Sequence, residues 1–279
     1  MVTLSELFRD TVSQLAEQGN DNARFEAEQL VQKATGYDRI KLLTQPMCEV
    51  TQENAEALRA MVERRNSGEP LQYILGEWEF YGLPFKVGDG VLIPRQDTES
   101  LVELVLRYEP KDKLCADLCA GSGCIGITLA KEGGCTVHSY ELSDKAFSYL
   151  TENIALDQVQ DKVTAIKGDV LSEQTVEAAP MYDIIVSNPP YLTAKDMQEL
   201  EKEVMHEPEM ALFGGEDGLD FYREILAKWS KKLKQGGMFA VEIGMGQEED
   251  VMRIFRENGL TAESIKDYCG IYRVVYGTK

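Results

Sequence analysis

The stretch Asp117-Leu118-Cys119-Ala120-Gly121-Ser122-Gly123-Cys124-Ile125-Gly126 decides how this chain folds. It follows a β-prone run, KLCADL (113–118), and opens into an apolar helical run. Glycines at 121, 123 and 126 permit a tight turn and close approach of backbone to a ligand. The helix behind them begins with unpaired amides. Alone, a G-x-G-x-x-G spacing is weak evidence, because a bare strand-to-helix turn also accounts for it. Its surroundings carry more weight. Strand-like runs recur at TVHSYEL (136–142), KVTAIKGD (162–169), YDIIVSN (182–188) and MFAVEIG (238–244), with helical stretches such as 143–156 and 218–233 between them. This alternation predicts a parallel sheet with helices on both faces. The end of the chain differs: AESIKDYCGIYRVVYG (262–277) holds two consecutive strands about a turn at Cys269-Gly270, so one of them runs antiparallel. The expected fold is α/β, a doubly wound, mostly parallel seven-stranded sheet with one antiparallel strand near the C-terminus.

Upstream the texture is helical. Thr3 and Glu6 form a capping box, and Leu4, Leu7, Phe8, Val12 and Leu15 follow at helical spacing. A second helix carries Phe25, Leu30 and Val31 and stops at Gly36; a third is capped by Thr51 and ends at Gly68. From Pro70 the stretch LQYILGEWEFYGLPFKVGDGVLIP (71–94) is aromatic and glycine-punctuated, which predicts short strands in a hairpin. The expected organisation is a small helical domain over 1–69, a β-hairpin connector over 70–96 and the α/β domain over 97–279.

Composition bounds the function. The 279 residues carry a formal charge of −19, divided as −6 over residues 1–85 and −13 over 86–279. A surface that grips nucleic acid through its phosphates is usually basic, so this balance disfavours one. No apolar run approaches a membrane span, and the acid-bearing start MVTLSELFRD does not resemble a signal peptide, so a cytoplasmic location is expected. Six cysteines without a C-x-x-C pair and two histidines without zinc spacing predict neither a disulfide framework nor a metal site. With two histidines, triad-type hydrolysis also has few candidate bases.

In an open α/β sheet the ligand lies beyond the carboxyl ends of the strands, so residues there are the ones to inspect. Asp117 closes the first strand, where a carboxylate can face a cationic or hydroxylated ligand. Glu141 closes the second, where an acid can accept both ribose hydroxyls, and Asp169 closes the third, within reach of an adenine amine. These acids suit S-adenosylmethionine as well as a nicotinamide dinucleotide. Asn188-Pro189-Pro190-Tyr191, after the fourth strand, separates the two. The prolines fix the backbone and lack N–H groups. The Asn188 side-chain oxygen and a prolyl carbonyl can then accept both hydrogens of a planar –NH2, and Tyr191 can stack over its plane. Such a holder suits a conjugated nitrogen whose lone pair must be directed at an electrophile.

With these residues in place, the sequence resembles the class I S-adenosylmethionine-dependent methyltransferases, and within them the PrmC/HemK family of protein-(glutamine-N5) methyltransferases that modify peptide-chain release factors. The resemblance runs through Glu69-Pro70, Gln72-Tyr73-Ile74 and Gly76, then Leu92-Ile93-Pro94-Arg95 with Asp97-Thr98-Glu99. It continues through the glycine loop, Asn188–Tyr191, and Glu207-Pro208, Ala211-Leu212, Gly214-Gly215 and Asp217-Gly218. Cys119 departs from the commonest form, which has glycine there. The resemblance implies a cofactor, S-adenosyl-L-methionine, bound by Asp117, Cys119, Gly121, Gly123, Glu141, Asp169 and Asn188, and released as S-adenosyl-L-homocysteine. It implies catalysis by Asn188, Pro189 and Tyr191, and a substrate glutamine in a Gly-Gly-Gln loop held by Asn188, Pro189, Pro190 and Tyr191. Arg95 and Glu99 either line the substrate entrance or pair with each other across a helical turn. The acids at 199, 201, 203, 207 and 209 form a solvated face or a wall for a basic partner. The implied partners are release factors, without direct nucleic acid or membrane binding. A ribosomal-protein glutamine, an adenine in DNA, and a non-enzymatic cofactor-binding adaptor are the competing readings.

Overall fold

A computed structural model describes residues 2–279. They form two compact units: one comprises the chain up to Gly76 together with Glu201–His206, the other Glu77–Leu200 with Glu207–Lys279. The first unit is built from α1 (Leu4–Glu17), α2 (Ala23–Thr35), α3 (Arg39–Thr44), α4 (Gln52–Asn66) and α5 (Leu71–Leu75), with the short strands β1 (Val2–Thr3) and β2 (Glu49–Val50) paired antiparallel. The Thr3 hydroxyl accepts from the Glu6 amide at 3.3 Å while the Glu6 carboxylate accepts from the Thr3 amide at 2.9 Å, which closes the capping box. α2 ends where Gly36 turns left-handed, and Thr51 caps α4. Leu4, Leu15, Ala27, Leu30, Val31, Ala55, Leu58 and Val62 are buried. Residues 201–206 join this unit through Glu203, which shares the Arg65 guanidinium with Glu26.

The units divide inside the segment expected to be a connector. Its first residues are helical rather than extended: Leu71, Tyr73 and Ile74 are buried on a single turn that Gly76 ends at φ +72°. One turn is too short to show a period, and burial outweighs the β-preference of its aromatic neighbours. The hairpin proper, β3 (Glu77–Phe80) and β4 (Leu83–Lys86), belongs to the second unit. Tyr81 and Gly82, at φ +53° and +74°, make the two-residue turn that matches strand twist.

Beyond α6 (Glu99–Arg107) the second unit alternates: β5 (Leu114–Leu118), α7 (Cys124–Gly133), β6 (Thr136–Glu141), α8 (Asp144–Leu156), β7 (Val163–Lys167), α9 (Glu173–Ala178), β8 (Tyr182–Ser187), α10 (Asp220–Trp229), β9 (Leu233–Glu242), α11 (Glu248–Glu257), β10 (Glu263–Lys266) and β11 (Tyr272–Thr278). The sheet has seven strands in the order β10-β11-β9-β8-β5-β6-β7; β5 to β9 pair in parallel and β11 runs against both neighbours. Side chains along each strand divide between two layers. Ile184, Val186, Met238 and Ala240 meet Leu101, Val105 and Ile127 on one face. Ile185, Phe239 and Val241 meet Tyr222, Trp229, Val251 and Phe255 on the other.

From β5 the chain winds outward to β6 and β7, then returns to β8 on the opposite side of β5. That reversal leaves a crevice at the carboxyl ends of β5 and β8 with no crossover above it.

Candidate active site

The crevice is a cavity of about 910 Å³, mouth included, lined entirely by the second unit. One wall is the glycine loop. Ser139 stands beside Asp117 in the β5–β6 register, and Asp117 itself is fully buried beneath the loop, its Oδ2 accepting from the Gly126 amide at 3.0 Å. Burial pushes this carboxyl up to about 7 despite that bond. Asp117 is therefore a support under the loop and is absent from the cavity lining. A Cβ on Gly126 would lie 2.6 Å from the Ser139 hydroxyl and 2.8 Å from Asp117, so α7 can dock here only through a glycine.

Glu141, at the end of β6, binds the loop from the other side. Its Oε2 accepts from the Gly121 amide at 2.8 Å and its Oε1 from the Ser143 amide at 2.6 Å. Burial raises its pKa, and these amides partly offset the rise. Each carboxylate oxygen keeps lone-pair capacity toward the cavity, which Glu141 lines. Gly121, at φ +56°, has nothing within 4 Å of the place a Cβ would occupy, so the cavity reaches its backbone. Gly123, at φ +84°, is packed under Leu150 and Ile127 and does not line the cavity. Asn153 ties the loop down, donating to the Ser122 and Lys86 carbonyls at 2.9 and 3.1 Å. Asp169 lines the far end, with Oδ1 turned to the Leu171 amide.

The turn after β8 contributes to the same lining. Asn188 and Pro190 line the cavity, whereas Pro189 and Tyr191 do not. The Asn188 Nδ2 donates to Thr98 Oγ1 at 3.3 Å. Tyr191 packs with the Tyr222 and Phe255 layer, and burial raises its pKa. The backbone of this turn is clamped by Gln247, whose Nε2 donates to the Tyr191 carbonyl at 3.0 Å and the Gly218 carbonyl at 3.3 Å, while its Oε1 accepts from the Gly244 amide. Gly214 and Gly218 press so closely that a Cβ would meet the Pro190 carbonyl at 2.7 Å and the Tyr191 carbonyl at 2.3 Å respectively.

Arg95 and Glu99 are not paired with each other. Arg95 lines the cavity and forms an ion pair with Glu207, which also accepts from the Ile93 amide at 3.0 Å. Glu99 accepts from the Tyr81 amide at 2.9 Å, outside the cavity lining. The acidic run is thus no uniform solvated face: Glu203 and Glu207 are each committed to an arginine. Cys119 and Cys124 line the cavity as thiols, with burial pushing Cys124 up to about 12 and Cys119 further.

Asn153, Gln247 and Glu242 escaped the sequence reading, and Thr98 entered it only as part of the 92–99 segment, with no role. Glu242 closes β9 as Asp117, Glu141 and Asp169 close or follow their strands, so the strand-end rule applied once more would have singled it out. Asn153 and Gln247 act on backbone far away in sequence, and Thr98 on the side chains of Asn188 and Glu242, and no spacing announces either.

Comparisons with known proteins bear on the family and the fold. Residues 6–76 match the model of the PrmC N-terminal domain, and residues 96–216 that of the methyltransferase small domain. The release factor glutamine methyltransferase of Geobacter sulfurreducens is 40% identical over 278 residues, covering 99% of this chain and 96% of that protein. The enzyme of the same name from Thermodesulfovibrio yellowstonii is 37% identical, with 95% and 96% covered. Among solved structures, a methyltransferase from Pyrococcus furiosus superposes with a TM-score of 0.55 at 17% identity, over 72% of this chain and 90% of that one, which speaks to fold alone. Relatives of this identity aligned end to end leave one conclusion: the chain belongs to the PrmC/HemK family of release factor glutamine methyltransferases.

Proposed function

We propose that this protein transfers a methyl group from S-adenosyl-L-methionine to the side-chain amide nitrogen of a glutamine in peptide-chain release factors, within a Gly-Gly-Gln loop. The observation that carries the reading is that residues of the glycine loop and, from the turn after β8, Asn188 and Pro190 line one cavity. The residues fit the cofactor. Glu141 offers oxygens suited to ribose hydroxyls, Asp169 an acceptor for the adenine amine, and open space above Gly121 admits the methionine part against bare backbone. Cys119 and Asn188 line the same space, while Asp117 and Gly123 contribute by holding the loop in shape. The acids around the cavity also complement a cation. When bound, the cofactor supplies an electrophilic methyl on a positively charged sulfur.

The chain's own residues do the rest by position. Asn188 Oδ1 and the Pro189 carbonyl accept the two amide hydrogens, which directs the nitrogen lone pair across the cavity. Tyr191 stiffens the turn through the layer behind it and its carbonyl held by Gln247. Once methylated, the amide nitrogen is a strong acid and loses its proton to solvent, so no dedicated base is needed. Fixing two reactants in attack geometry supplies up to about 7–11 kcal/mol of the barrier. Arg95, held at the cavity by Glu207, lines the substrate entrance; Glu99 binds the hairpin turn instead and is given no part in it.

The test is to incubate the protein with labelled cofactor and, separately, release factor, ribosomal proteins and DNA, and to locate the label by peptide and nucleoside mass analysis. Label is expected on the release-factor glutamine. Label on DNA adenine, or on a ribosomal glutamine alone, overturns the assignment. In Asn188→Ala, cofactor binding is expected to survive while kcat falls about 100-fold or more, the scale for losing a transition-state hydrogen-bond partner.

A further inference from the structure

Glu242 is 1% exposed, and its Oε2 has no hydrogen-bond partner. An unpartnered buried carboxylate oxygen is costly, so its retention calls for a reason. Its position suggests one. Ser187 and Val241 are paired in the parallel β8–β9 ladder, so Asn188 and Glu242 emerge next to each other at the carboxyl ends of neighbouring strands. Between them lies Thr98, 2% exposed, whose hydroxyl contacts the Glu242 carboxyl and whose Oγ1 also receives the Asn188 Nδ2 at 3.3 Å.

An asparagine amide is ambiguous about its axis: a half-turn exchanges its oxygen for its –NH2. The proposed reaction tolerates one orientation only, because an outward –NH2 would confront the hydrogens of the substrate amide. A threonine hydroxyl can donate or accept, and by itself it does not choose. It chooses once its single proton is committed elsewhere, and an ionised carboxylate can only accept. We propose that Glu242 and Thr98 are positioning residues for methyl transfer: the Glu242 carboxylate accepts a hydrogen bond from the Thr98 hydroxyl, Thr98 Oγ1 accepts from Asn188 Nδ2, and Asn188 Oδ1 is thereby fixed toward the substrate nitrogen. The inference rests on the reading of Asn188 as the holder of the substrate amide.

The surroundings keep Glu242 available for this role. Arg273, one of two arginines whose charge acts on Glu242, is engaged by Asp97 at 2.9 Å and Asp267 at 3.1 Å. Arg95 is engaged by Glu207. The Tyr222 hydroxyl goes to the Glu242 backbone carbonyl at 2.9 Å, away from the carboxylate. Tyr191 and Asp97 face the group without donating to it. Burial raises the Glu242 pKa to about 7, against the Thr98 contact and the two arginines, which lower it. Protonation would let Glu242 donate to Thr98, turn the Thr98 proton toward Asn188 and favour the flipped amide.

The experiment compares Thr98→Val, Thr98→Ser, Glu242→Gln and Asn188→Ala for cofactor affinity by calorimetry and for kcat and KM with release factor across pH 6 to 9. Thr98→Val is expected to lower kcat about 10- to 100-fold, as small misplacements at a reacting centre do, with cofactor affinity and KM nearly unchanged. Thr98→Ser, which restores the hydroxyl, is expected to recover most of the rate. Wild-type kcat should decline below about pH 7, and Glu242→Gln should be slow with that decline abolished. Near-normal kcat in Thr98→Val beside a crippled Asn188→Ala overturns the relay alone. Near-normal kcat in Asn188→Ala overturns the reading of Asn188 beneath it.

Discussion

At the scale of single residues, the glycine loop shows how backbone conformation decides composition. Cys119 sits at φ +61°, in the left-handed region that L-residues other than glycine adopt at a cost. The thiol is small and unbranched, so the position tolerates it, and this gives a physical reason why a glycine serves equally well there. Two substitutions separate the backbone requirement from any need for the thiol. Cys119→Gly is expected to keep its melting temperature and its cofactor affinity, because relief of strain offsets the added freedom of the unfolded chain. Cys119→Val is expected to lose about 1–3 kcal/mol, since β-branching is poorly accommodated at positive φ. Thermal unfolding of both checks it; a stable valine variant would show that the conformation is not what constrains this position.

At the scale of elements, the turn after β8 is held by segments remote in sequence. Gly218, at φ +73°, leaves no room for a side chain, because a Cβ would fall 2.3 Å from the Tyr191 carbonyl and 2.7 Å from Gln247 Nε2. Gly218→Ala should therefore displace the turn as well as strain its own backbone, with a stability loss of about 1–3 kcal/mol. Its kcat should fall while cofactor affinity, assigned to the glycine loop, Glu141 and Asp169, stays close to wild type; a variant with normal kcat would show that the glycine segment does not govern the turn. The alternation of strands and helices, the antiparallel strand near the end, the glycine loop and the placement of Asn188 just after the fourth strand of the alternation were all legible in the sequence, since each is a local pattern with a period or a fixed spacing. The helical turn at Leu71–Leu75 was not, because one turn has no period to detect. Nor were Gln247 and Asn153, whose role is to hydrogen-bond backbone 56 and 31 residues away. Asp117 was found for a reason the fold alters, as it supports the loop from below and does not line the cavity.

At the scale of the molecule, the charge of −19 and the buried acids act in the same direction with pH but through different physics. Asp117 and Glu242 both have folded-state pKa values raised to about 7 by burial. Between their unfolded values, near 4, and about 7 the native state binds more protons than the unfolded chain, so stability falls as pH rises through that window. Each such group contributes at most about 1.4 kcal/mol per pH unit. Glu69, Asp183, Asp196 and Asp217 are shifted the other way: the Arg64, Thr193 and Arg223 side chains and the Thr193 amide hold Glu69, Asp196 and Asp217 down, while Lys234 and the Leu114 amide outweigh burial at Asp183. Their contribution is present above the ordinary carboxylate range and is lost as pH falls below it. The melting temperature should therefore pass through a maximum on the acid side of neutrality, decline as pH rises towards about 7, and flatten above it. General self-repulsion of an acidic protein would produce a decline too, but salt screens it. The buried carboxyls are shielded from salt and responsive to mutation. In Glu242→Gln the decline between about pH 5 and pH 7 should be shallower than in wild type at high ionic strength as well as low, whereas wild type should keep much of its slope in salt. A wild-type slope that vanishes with added salt would assign the whole effect to the surface and leave the buried carboxyls without a part in it.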